Sequence, residues 1–363
     1  MFDPNNASPK YTQLKEYIKD RILRGELSPG EKLASENDLA RQFSLSRHTV
    51  RQALGELENE GLIYREQGRG TFCKPNFKNT RPNIAVLTTY ISDYIFPAII
   101  KGIEEVFSSE GFNLILASTN NDQAKEAQCL ESLMNQAIVA LIVEPTKSAQ
   151  ASPNLRYYQE LAANGIPYLM MHACYPELEP AYILMDDERC GYLAGEYLLQ
   201  LGHRRIAGIF KSDDLQGVKR QRGFLAAFAA YGLTVDPELI GNYETEQLHS
   251  YPFQFGRSLL QKNPRPTAIV CYNDQIALEI LDAIRDAGLK VPQDISLIGC
   301  DDSLLASASE VKLTTFRHPK AEMGCQAARF IIDMLNGKIE KPSLIYHPEL
   351  IIRSSCQSIE VLK

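Results

Sequence analysis

Seven apolar runs in the second part of the chain, separated by stretches with helical periodicity, restrict the fold more than any other feature. They all follow residue 83 and read IAVLTTY, NLILAST, ALIVEP, PYLMMH, RIAGIF, TAIVCYND and ISLIGCDD. Continuous apolar strands that alternate with helices are typical of parallel sheets with helices on both faces. Two such series within residues 84–363 predict an α/β region of two doubly wound lobes.

Residues 1–74 have a different pattern. Apolar residues at i, i+4 and i+8 predict a helix over 11–25, and Ser35 is expected to cap a second helix. A third helix is predicted over Arg47–Glu60 and ends at Gly61. Two short β runs, LIYREQ and TFC, flank a glycine turn. Three helices and a β-hairpin predict an α+β winged helix-turn-helix.

The segment PNFKNTRPN (75–83), with two prolines and no apolar period, is predicted to be a linker between these two domains. Charge also differs between them. Residues 1–82 carry 14 basic and 11 acidic side chains, whereas the remainder carries 24 and 34, within a total net charge of −7. An acidic protein with a mildly basic front domain can bind nucleic acid if its positive groups share one face.

Several classes of protein are disfavoured. The eight cysteines include no C-x-x-C pair and the six histidines show no ligand spacing, so free thiols and no metal are expected. No apolar run approaches 18 residues, and the start MFDPNNASPKY lacks the features of a signal peptide. These features predict a cytoplasmic protein without a membrane partner.

The segment LSRHTVRQAL places long hydrogen-bond donors at the front of the third predicted helix. In a helix-turn-helix the second helix of the pair enters the major groove, where arginine can hold guanine. An isolated polar helix end is more often simply capped and solvated. Here a preceding helix, a short turn and the glycine wing QGRGTF favour DNA binding, with Arg69 placed to enter a minor groove.

Residues 10–74 resemble the winged-helix domain of the GntR family of bacterial transcription factors. The stretch PGEKLASENDLARQFSLSRHTVRQALGELENEGLIYREQGRGTF carries this likeness, although Ala34 stands where many members have proline. The resemblance implies double-stranded operator DNA as a partner. The positions it implies to face DNA are Lys10, Ser35, Glu36, Ser46, Arg47, His48, Thr49, Arg51, Gln67, Gly68, Arg69 and Gly70.

Polar and aromatic side chains follow several of the apolar runs in the second domain. In doubly wound lobes these strand ends border the ligand cleft, and carboxylates, amides and aromatic rings suit a polyhydroxylated ligand. Glu144 follows its run without an evident capping role, and Lys219 and Arg220 are expected in a loop after RIAGIF, although Arg220 in VKRQRGF can equally be read as a surface residue of a helix. An alternative reading is that aspartates after strands only cap the next helix. That alternative covers Asp187, Asp274 and Asp302.

Residues 83–355 resemble the effector domain of LacI-type repressors, which are related to periplasmic sugar-binding proteins. The likeness rests on GHRRIAGIF, RQRGFLAAF, CYNDQIAL, VPQDISLIGCDD and LTTFRHP. It implies that Arg220, Asn273 and Asp301 bind effector, with Phe96, Asp186 and His318 at other cleft positions. Strand-end position alone adds Tyr90, Glu144, His172 and Tyr243.

A GntR-type head joined to a LacI-type sensor resembles the L-arabinose-responsive repressors of Bacillus type, and the segments LIVEPTKSA and HPELIIR strengthen that likeness. The resemblance implies a homodimeric repressor without catalytic residues or cofactor, which L-arabinose releases from palindromic operators. Ribose, galactose or a purine would use a similar set of side chains. A pyridoxal-phosphate enzyme with a GntR head is disfavoured because no lysine has a suitable context, and a transport receptor is disfavoured by the DNA-binding head.

Overall fold

The computed structural model describes residues 9–23, 26–66, 69–74 and 81–359. Contacts divide the chain into two compact units, with the boundary between Arg81 and Pro82. Most of the segment predicted to be a linker, residues 75–80, lies outside the described residues. Each unit is therefore described by itself.

The first unit is a winged helix-turn-helix, as predicted. Its elements are α1 (Lys10–Leu23), α2 (Glu36–Gln42), α3 (Arg47–Asn59), β1 (Ile63–Glu66) and β2 (Gly70–Cys73). The side chains of Ser35 and Ser46 accept backbone N–H groups at the starts of α2 and α3, and Gly61 ends α3 with φ +73°. Buried aliphatic residues of all three helices form the core.

The segment 30–33, between α1 and α2, pairs with the wing. The amide of Leu33 donates to the carbonyl of Thr71 at 2.9 Å, and the amide of Cys73 donates to the carbonyl of Glu31 at 2.9 Å. These bonds fix β2 along its length, so the wing is attached to the segment that leads into α2.

The second unit contains two lobes, each with an all-parallel sheet. The first lobe has the strand order β13-β7-β6-β5-β3-β4. Its strands are β3 (Asn83–Thr88), β4 (Asn113–Ser118), β5 (Ile138–Val143), β6 (Tyr168–Met171), β7 (Ala181–Met185) and β13 (Ser343–Tyr346). Its helices are α4 (Phe96–Ser109), α5 (Gln123–Met134), α6 (Leu155–Ala163) and α12 (Lys320–Leu335).

The second lobe has the strand order β11-β10-β8-β9. Its strands are β8 (Ile206–Lys211), β9 (Ile240–Tyr243), β10 (Ala268–Cys271) and β11 (Ser296–Ile298), and a short antiparallel pair joins β12 (Thr315–Phe316) to β14 (Leu350–Ile351). Its helices are α7 (Asp187–Gln200), α8 (Leu215–Ala230), α9 (Tyr251–Leu260), α10 (Asp274–Asp286) and α11 (Leu304–Ala308).

The chain passes between the two lobes three times: after β7, after β12 and after β13. Each lobe keeps separate apolar cores on the faces of its own sheet. The carboxyl ends of both sheets therefore border one cleft, where a doubly wound fold binds its ligand.

Helices α7 and α8 pack at unusually close range because glycines lie at their crossing. A Cβ atom at Gly223 would lie 1.8 Å from the carbonyl oxygen of Glu188, and one at Gly191 would lie 1.9 Å from that of Arg220. Both contacts are with backbone that cannot move aside cheaply. The close approach also fixes where α8 presents Arg220.

We expect Gly223→Ala to destabilise the second unit by about 1–3 kcal/mol, the usual cost of overpacking. Gly55 in α3 is the matched control because a Cβ there meets nothing within 4 Å. Gly55→Ala should stabilise the first unit by about 0.5–1 kcal/mol, through its better helix propensity. Calorimetric unfolding of the full chain checks both changes, and an unchanged transition in Gly223→Ala would contradict the close packing.

Candidate functional site

The predicted DNA-facing residues of α3 lie on an exposed surface of the first unit. Ser46, Arg47, His48 and Arg51 are exposed, and Thr49 is partly buried where its hydroxyl contacts that of Ser46 at 2.8 Å. The opposite side of α3 is fully buried in the core. The helix thus presents its polar front outward while its apolar side holds it in place.

A shallow groove lies between the start of α2 and the wing. Its lining includes four of the predicted residues: Ser35, Glu36, Arg69 and Gly70. Lys32 and Arg65 also line this groove, and both were missed because they belong to no helix front or glycine turn. Lys10 is exposed at the first residue of α1 and is not part of the groove lining. The predictions for Gln67 and Gly68 lie outside the described residues.

Two arginines of α3 are held by side chains of α2. Arg51 forms a two-pronged pair with Glu36, with N–O distances of 2.9 and 3.3 Å. The hydrogen bond from Arg51 lowers the pKa of Glu36, so that carboxylate stays charged. The Arg47 guanidinium donates to the side-chain oxygen of Asn37. Glu36 therefore orients an arginine on the exposed face.

The second unit contains a cavity of about 520 Å³ at the carboxyl ends of both sheets. That volume falls within the roughly 300–1,000 Å³ usual for small-molecule sites. Seven of the ten predicted effector-binding residues line it: Tyr90, Phe96, Glu144, His172, Tyr243, Asn273 and Asp301. Residues that follow strands in both lobes therefore lie at the same cleft, as the strand-end positions predict.

Glu144 and His172 form a buried pair on the first-lobe side. His172 Nδ1 lies 2.8 Å from the Glu144 carboxylate, which also accepts the amide of Thr89 at 2.9 Å and its hydroxyl. Burial disfavours the imidazolium, but the bond to Glu144 and the charges of Glu144, Asp187 and Asp301 together outweigh it and raise the pKa of His172. Burial likewise opposes the charge of Glu144, yet the bond and charge of His172 together with the two hydrogen bonds from Thr89 keep its pKa below the ordinary value.

His318 lies against His172, with ring centroids 5.2 Å apart. Burial, reinforced by the charge of His172, lowers the pKa of His318 well below its ordinary value. His318 is buried but does not line the cavity, and neither of its ring nitrogens has a hydrogen-bond partner. His172 Nε2 is also unpartnered. Two imidazoles therefore hold unused hydrogen-bonding capacity beside the cleft.

Arg220 is buried behind the cavity wall on the second-lobe side. Its guanidinium donates to Asp187 at 2.8 Å, to the Tyr272 carbonyl at 2.7 Å and to Asp301 at 3.2 Å. Burial raises the pKa of Asp187, and Arg220 offsets that only in part. At Asp301 burial opposes the charge, but Arg220 together with His318, Lys320 and the hydrogen bond from Tyr94 outweighs it and holds the pKa below its ordinary value. Asp301 is thus a carboxylate that stays ionised at the cavity.

A third charged group, also in the second lobe, completes the lining. Lys211 Nζ contacts Asp214 and lies 3.3 Å from Asp213. Burial disfavours the charge of Lys211, but the carboxylates of Asp214 and Asp213 outweigh it and raise the pKa. Tyr243 is buried beside them, and its hydroxyl has no hydrogen-bond partner.

The structure corrects several expectations about individual residues. Arg220 lies in α8, which begins at Leu215, and not in a loop. None of the three aspartates is the cap that the alternative reading proposed: Asp186 caps α7 and Asn273 caps α10, each one residue earlier, and the N-cap of α11 is Ser303, one residue later. The three aspartates instead form side-chain contacts: Asp187 with Arg220, Asp274 with Thr315 and Ser303, and Asp302 with Arg353.

Asp186 is the predicted effector residue with the least support from the geometry. Its carboxylate accepts the amide of Arg189 at 3.0 Å and lies 3.9 Å from His347, and it is not among the cavity-lining residues. Strand-end reasoning in turn missed the lining residues Thr89, Tyr94, Lys211, Asp214, His249 and Tyr272. Lys211 and Tyr272 stand at strand ends, so the same rule could have found them.

Three residues that line the cleft have a strained backbone. Tyr94, His172 and Asp301 have φ values of +58°, +64° and +94°. A non-glycine residue in such a conformation costs about 1–3 kcal/mol and persists only when its surroundings hold it. The cleft therefore has side chains fixed in directions that an unstrained backbone would not give.

Among the residues that the structure describes, no helix is long and apolar enough to cross a membrane. The same residues contain no group of three or more histidine, cysteine, aspartate or glutamate side chains arranged to hold a metal ion.

Two protein families match parts of the chain. The gntR family of bacterial regulatory proteins matches residues 10–73, and a periplasmic binding protein-like domain matches residues 196–356. The arabinose metabolism transcriptional repressor of Geobacillus stearothermophilus is 50% identical over 97% of this chain and 98% of its own. That of Halalkalibacterium halodurans is 46% identical, over 95% and 96% of the two chains.

Solved structures share the fold of the second unit. The transcription regulator CcpA of Lactococcus lactis covers 76% of this chain, with a TM-score of 0.66 and 22% identity, and all of its own chain is matched. A LacI family regulator from Enterococcus faecium, solved with bound ribose, covers 77% with a TM-score of 0.66 and 24% identity, and is also matched in full. At these identities the likeness shows the fold alone.

The Glu144–His172 pair predicts a specific pH dependence of stability. A raised histidine pKa contributes stability that is fully present below the unfolded value of about 6.5 and is lost as pH rises through the folded value. The lowered pKa of Glu144 adds stability above about pH 4.3, which is lost on further acidification. We therefore expect the difference in unfolding free energy between wild type and His172→Gln to be larger at about pH 5.5 than at about pH 9.

Urea unfolding at both pH values measures that difference, and a constant difference would contradict the ion pair. His203→Gln is a control of opposite sign. Burial lowers the pKa of His203, so its native state loses stability as pH falls below the unfolded value. The advantage of wild type over His203→Gln should therefore be smaller at the acidic pH.

Proposed function

This chain belongs to the family of the arabinose metabolism transcriptional repressors, and from that membership we propose that L-arabinose is its effector and releases it from operator DNA. It is a DNA-binding transcriptional repressor with a sugar-binding effector domain, and not an enzyme. The finer proposal concerns which sugar fills the cleft, which genes are controlled and how sugar binding leads to release from DNA. We propose genes of arabinose use as the targets.

The single observation that carries the choice of a neutral sugar is the charge balance of the cleft. Lys211 is matched by Asp214 and Asp213, and Arg220 is matched by Asp187 and Asp301. Lys211 at the cavity and Arg220 behind its wall are therefore already neutralised. A phosphorylated effector would need cationic partners that these pairs do not leave over.

The unpartnered polar atoms at and beside the cleft also favour a polyhydroxylated ligand. Tyr243 Oη and His172 Nε2 belong to lining residues and have no hydrogen-bond partner. A sugar hydroxyl can donate and accept, so it can satisfy either atom, and the rings of Tyr90 and Phe96 can cover the C–H face of the sugar. Leaving such buried atoms unsatisfied costs about 1–3 kcal/mol each. Ribose and galactose are tested as alternative effectors in the binding experiment below.

For the head we propose that α3 enters the major groove and that the wing around Arg69 reaches the adjacent minor groove. The exposed front of α3 and the groove between α2 and the wing support this assignment. We further propose a homodimer, because a two-fold pair of heads would match a palindromic operator.

Release from DNA follows if the sugar prefers one arrangement of the two lobes. A ligand shifts a conformational equilibrium only by its difference in affinity for the two states. Coupling of about 1–3 kcal/mol is typical and would lower operator affinity roughly 5- to 150-fold. No step in this scheme needs a cofactor.

We expect L-arabinose to weaken binding of the full chain to a palindromic operator fragment, measured by fluorescence anisotropy at fixed salt. D-Xylose, D-ribose and D-galactose are the matched sugar controls. If another sugar alone weakens binding, the effector assignment is wrong while the repressor mechanism holds. If L-arabinose tightens binding, release is wrong and the sugar acts as a co-repressor.

Arg51→Ala should weaken operator binding about 10-fold or more, as expected for a lost base or phosphate contact. Lys19→Ala is the control, since it also removes one positive charge from the first unit. Lys19 pairs with Glu60, the residue that follows α3, at 2.9 Å. Equal operator affinities for the two variants in the same anisotropy titration would remove Arg51 from the DNA-reading surface.

A further inference from the structure

Tyr94 makes a contact between the two lobes. It lies in the first lobe, in the segment between β3 and α4, yet its hydroxyl reaches three groups of the second lobe. The hydroxyl lies 2.9 Å from a carboxylate oxygen of Asp301 and 3.0 Å from the Cys300 carbonyl, and it accepts the amide of Asp274 at 3.1 Å.

Burial raises the pKa of the Tyr94 phenol well above its ordinary value, so the hydroxyl keeps its proton and can donate. Its partner Asp301 is itself tightly constrained. One carboxylate oxygen faces Arg220 at 3.2 Å and the other faces Tyr94, while the backbone holds φ at +94°. The two oxygens are therefore fixed from opposite lobes.

Lys320, the first residue of α12, adds a second link at the same turn. Its ammonium donates to the carbonyls of Asp301 and Asp302 at 2.6 and 2.8 Å. Lys320 follows the crossing from β12 to α12, so its position depends little on how far the lobes separate. The position of Tyr94 relative to Asp301 does depend on lobe separation, because the chain that connects the two residues runs through an entire lobe.

We propose that Tyr94 is a positioning residue, which orients the Asp301 carboxylate for the effector only when the two lobes are closed. Separation of the lobes withdraws the phenol and leaves one carboxylate oxygen of Asp301 without its donor. The affinity of the cleft for its ligand then depends on closure through a specific bond, in addition to the contacts that each lobe supplies. This inference rests on the proposed sugar-binding function.

A different bridge between the same lobes provides the matched control. Lys147 of the first lobe and Glu246 of the second form an ion pair at 2.6 Å, and neither residue lines the cavity or touches Asp301. Glu246→Gln removes that bridge without altering the orientation of Asp301. It reports what the loss of an inter-lobe contact does by itself.

The experiment is isothermal titration calorimetry on the full chain, comparing wild type, Tyr94→Phe, Asp301→Asn and Glu246→Gln. Each protein is titrated with L-arabinose and with monodeoxy analogues that each lack one hydroxyl. The hydroxyl held by Asp301 is identified from the analogue that lacks it, because wild type and Asp301→Asn should bind that analogue with equal affinity. Thermal unfolding verifies that every variant is folded.

We expect Tyr94→Phe to weaken L-arabinose binding about 10-fold or more, as for a lost hydrogen bond to a charged group. For the analogue without the hydroxyl held by Asp301, the loss should shrink to within about 2-fold of the loss that Glu246→Gln gives, the usual limit of non-interacting effects. Glu246→Gln should lower the affinity for every sugar by one common factor.

Two results would overturn the inference: unchanged affinities in Tyr94→Phe, or a loss of the same size for all sugars, as Glu246→Gln gives. If wild type binds another sugar and not L-arabinose, the comparison is made with that sugar and its deoxy analogues. If wild type binds no sugar, the proposed function fails and this inference falls with it. The role of Tyr94 is thus judged only with a sugar that wild type binds.

Discussion

The buried guanidinium of Arg220 is the interaction on which the sensor depends. An arginine removed from water is tolerated only when its donors are satisfied and its charge is matched. Asp187, Asp301 and the Tyr272 carbonyl meet that requirement, and the Tyr272 ring lies 5.1 Å from the guanidinium carbon. Loss of Arg220 would leave the buried carboxylates of Asp187 and Asp301 without their cation. Arg220 therefore both shapes the cleft and stabilises the lobe.

That arrangement in turn requires the close crossing of α7 and α8. Arg220 stands on α8 and Asp187 begins α7, so the bond between them measures how closely the helices approach. A Cβ atom at Gly191 or Gly223 would separate them. Helix packing, ionisation of Asp301 and ligand recognition are in this way parts of one arrangement.

Much of the fold was predictable because its local signals agree with one another. Ser35 and Ser46 cap helices where the sequence predicts helix starts, and the apolar runs became parallel strands. The positions of Glu144 and His172 at the cavity were predictable because they follow adjacent strands of one parallel sheet, whose carboxyl ends lie at the same edge. These features depend on short stretches of chain, whose preferences are visible in the sequence.

The parts that escaped prediction depend on contacts between distant segments. Tyr94 lies within a loop, and its partner Asp301 is 207 residues away in the other lobe. Glu36 was expected to face DNA, and its pairing with Arg51 adds a role in orienting that arginine. The helix caps were misplaced by one residue because any Asp or Asn after a strand can cap, and only the backbone decides between neighbours.

The three crossings between the lobes also determine the order in which the chain can fold during synthesis. The first lobe is discontinuous, since Met323, Ala327 and Ile331 of α12 pack in the core that α4 begins more than 200 residues earlier. The second lobe draws most of its core from one uninterrupted stretch, from α7 to β12. As the ribosome releases the chain, the apolar side of α4 stays uncovered until α12 has emerged. The later-made lobe therefore has its core largely complete before the earlier one does.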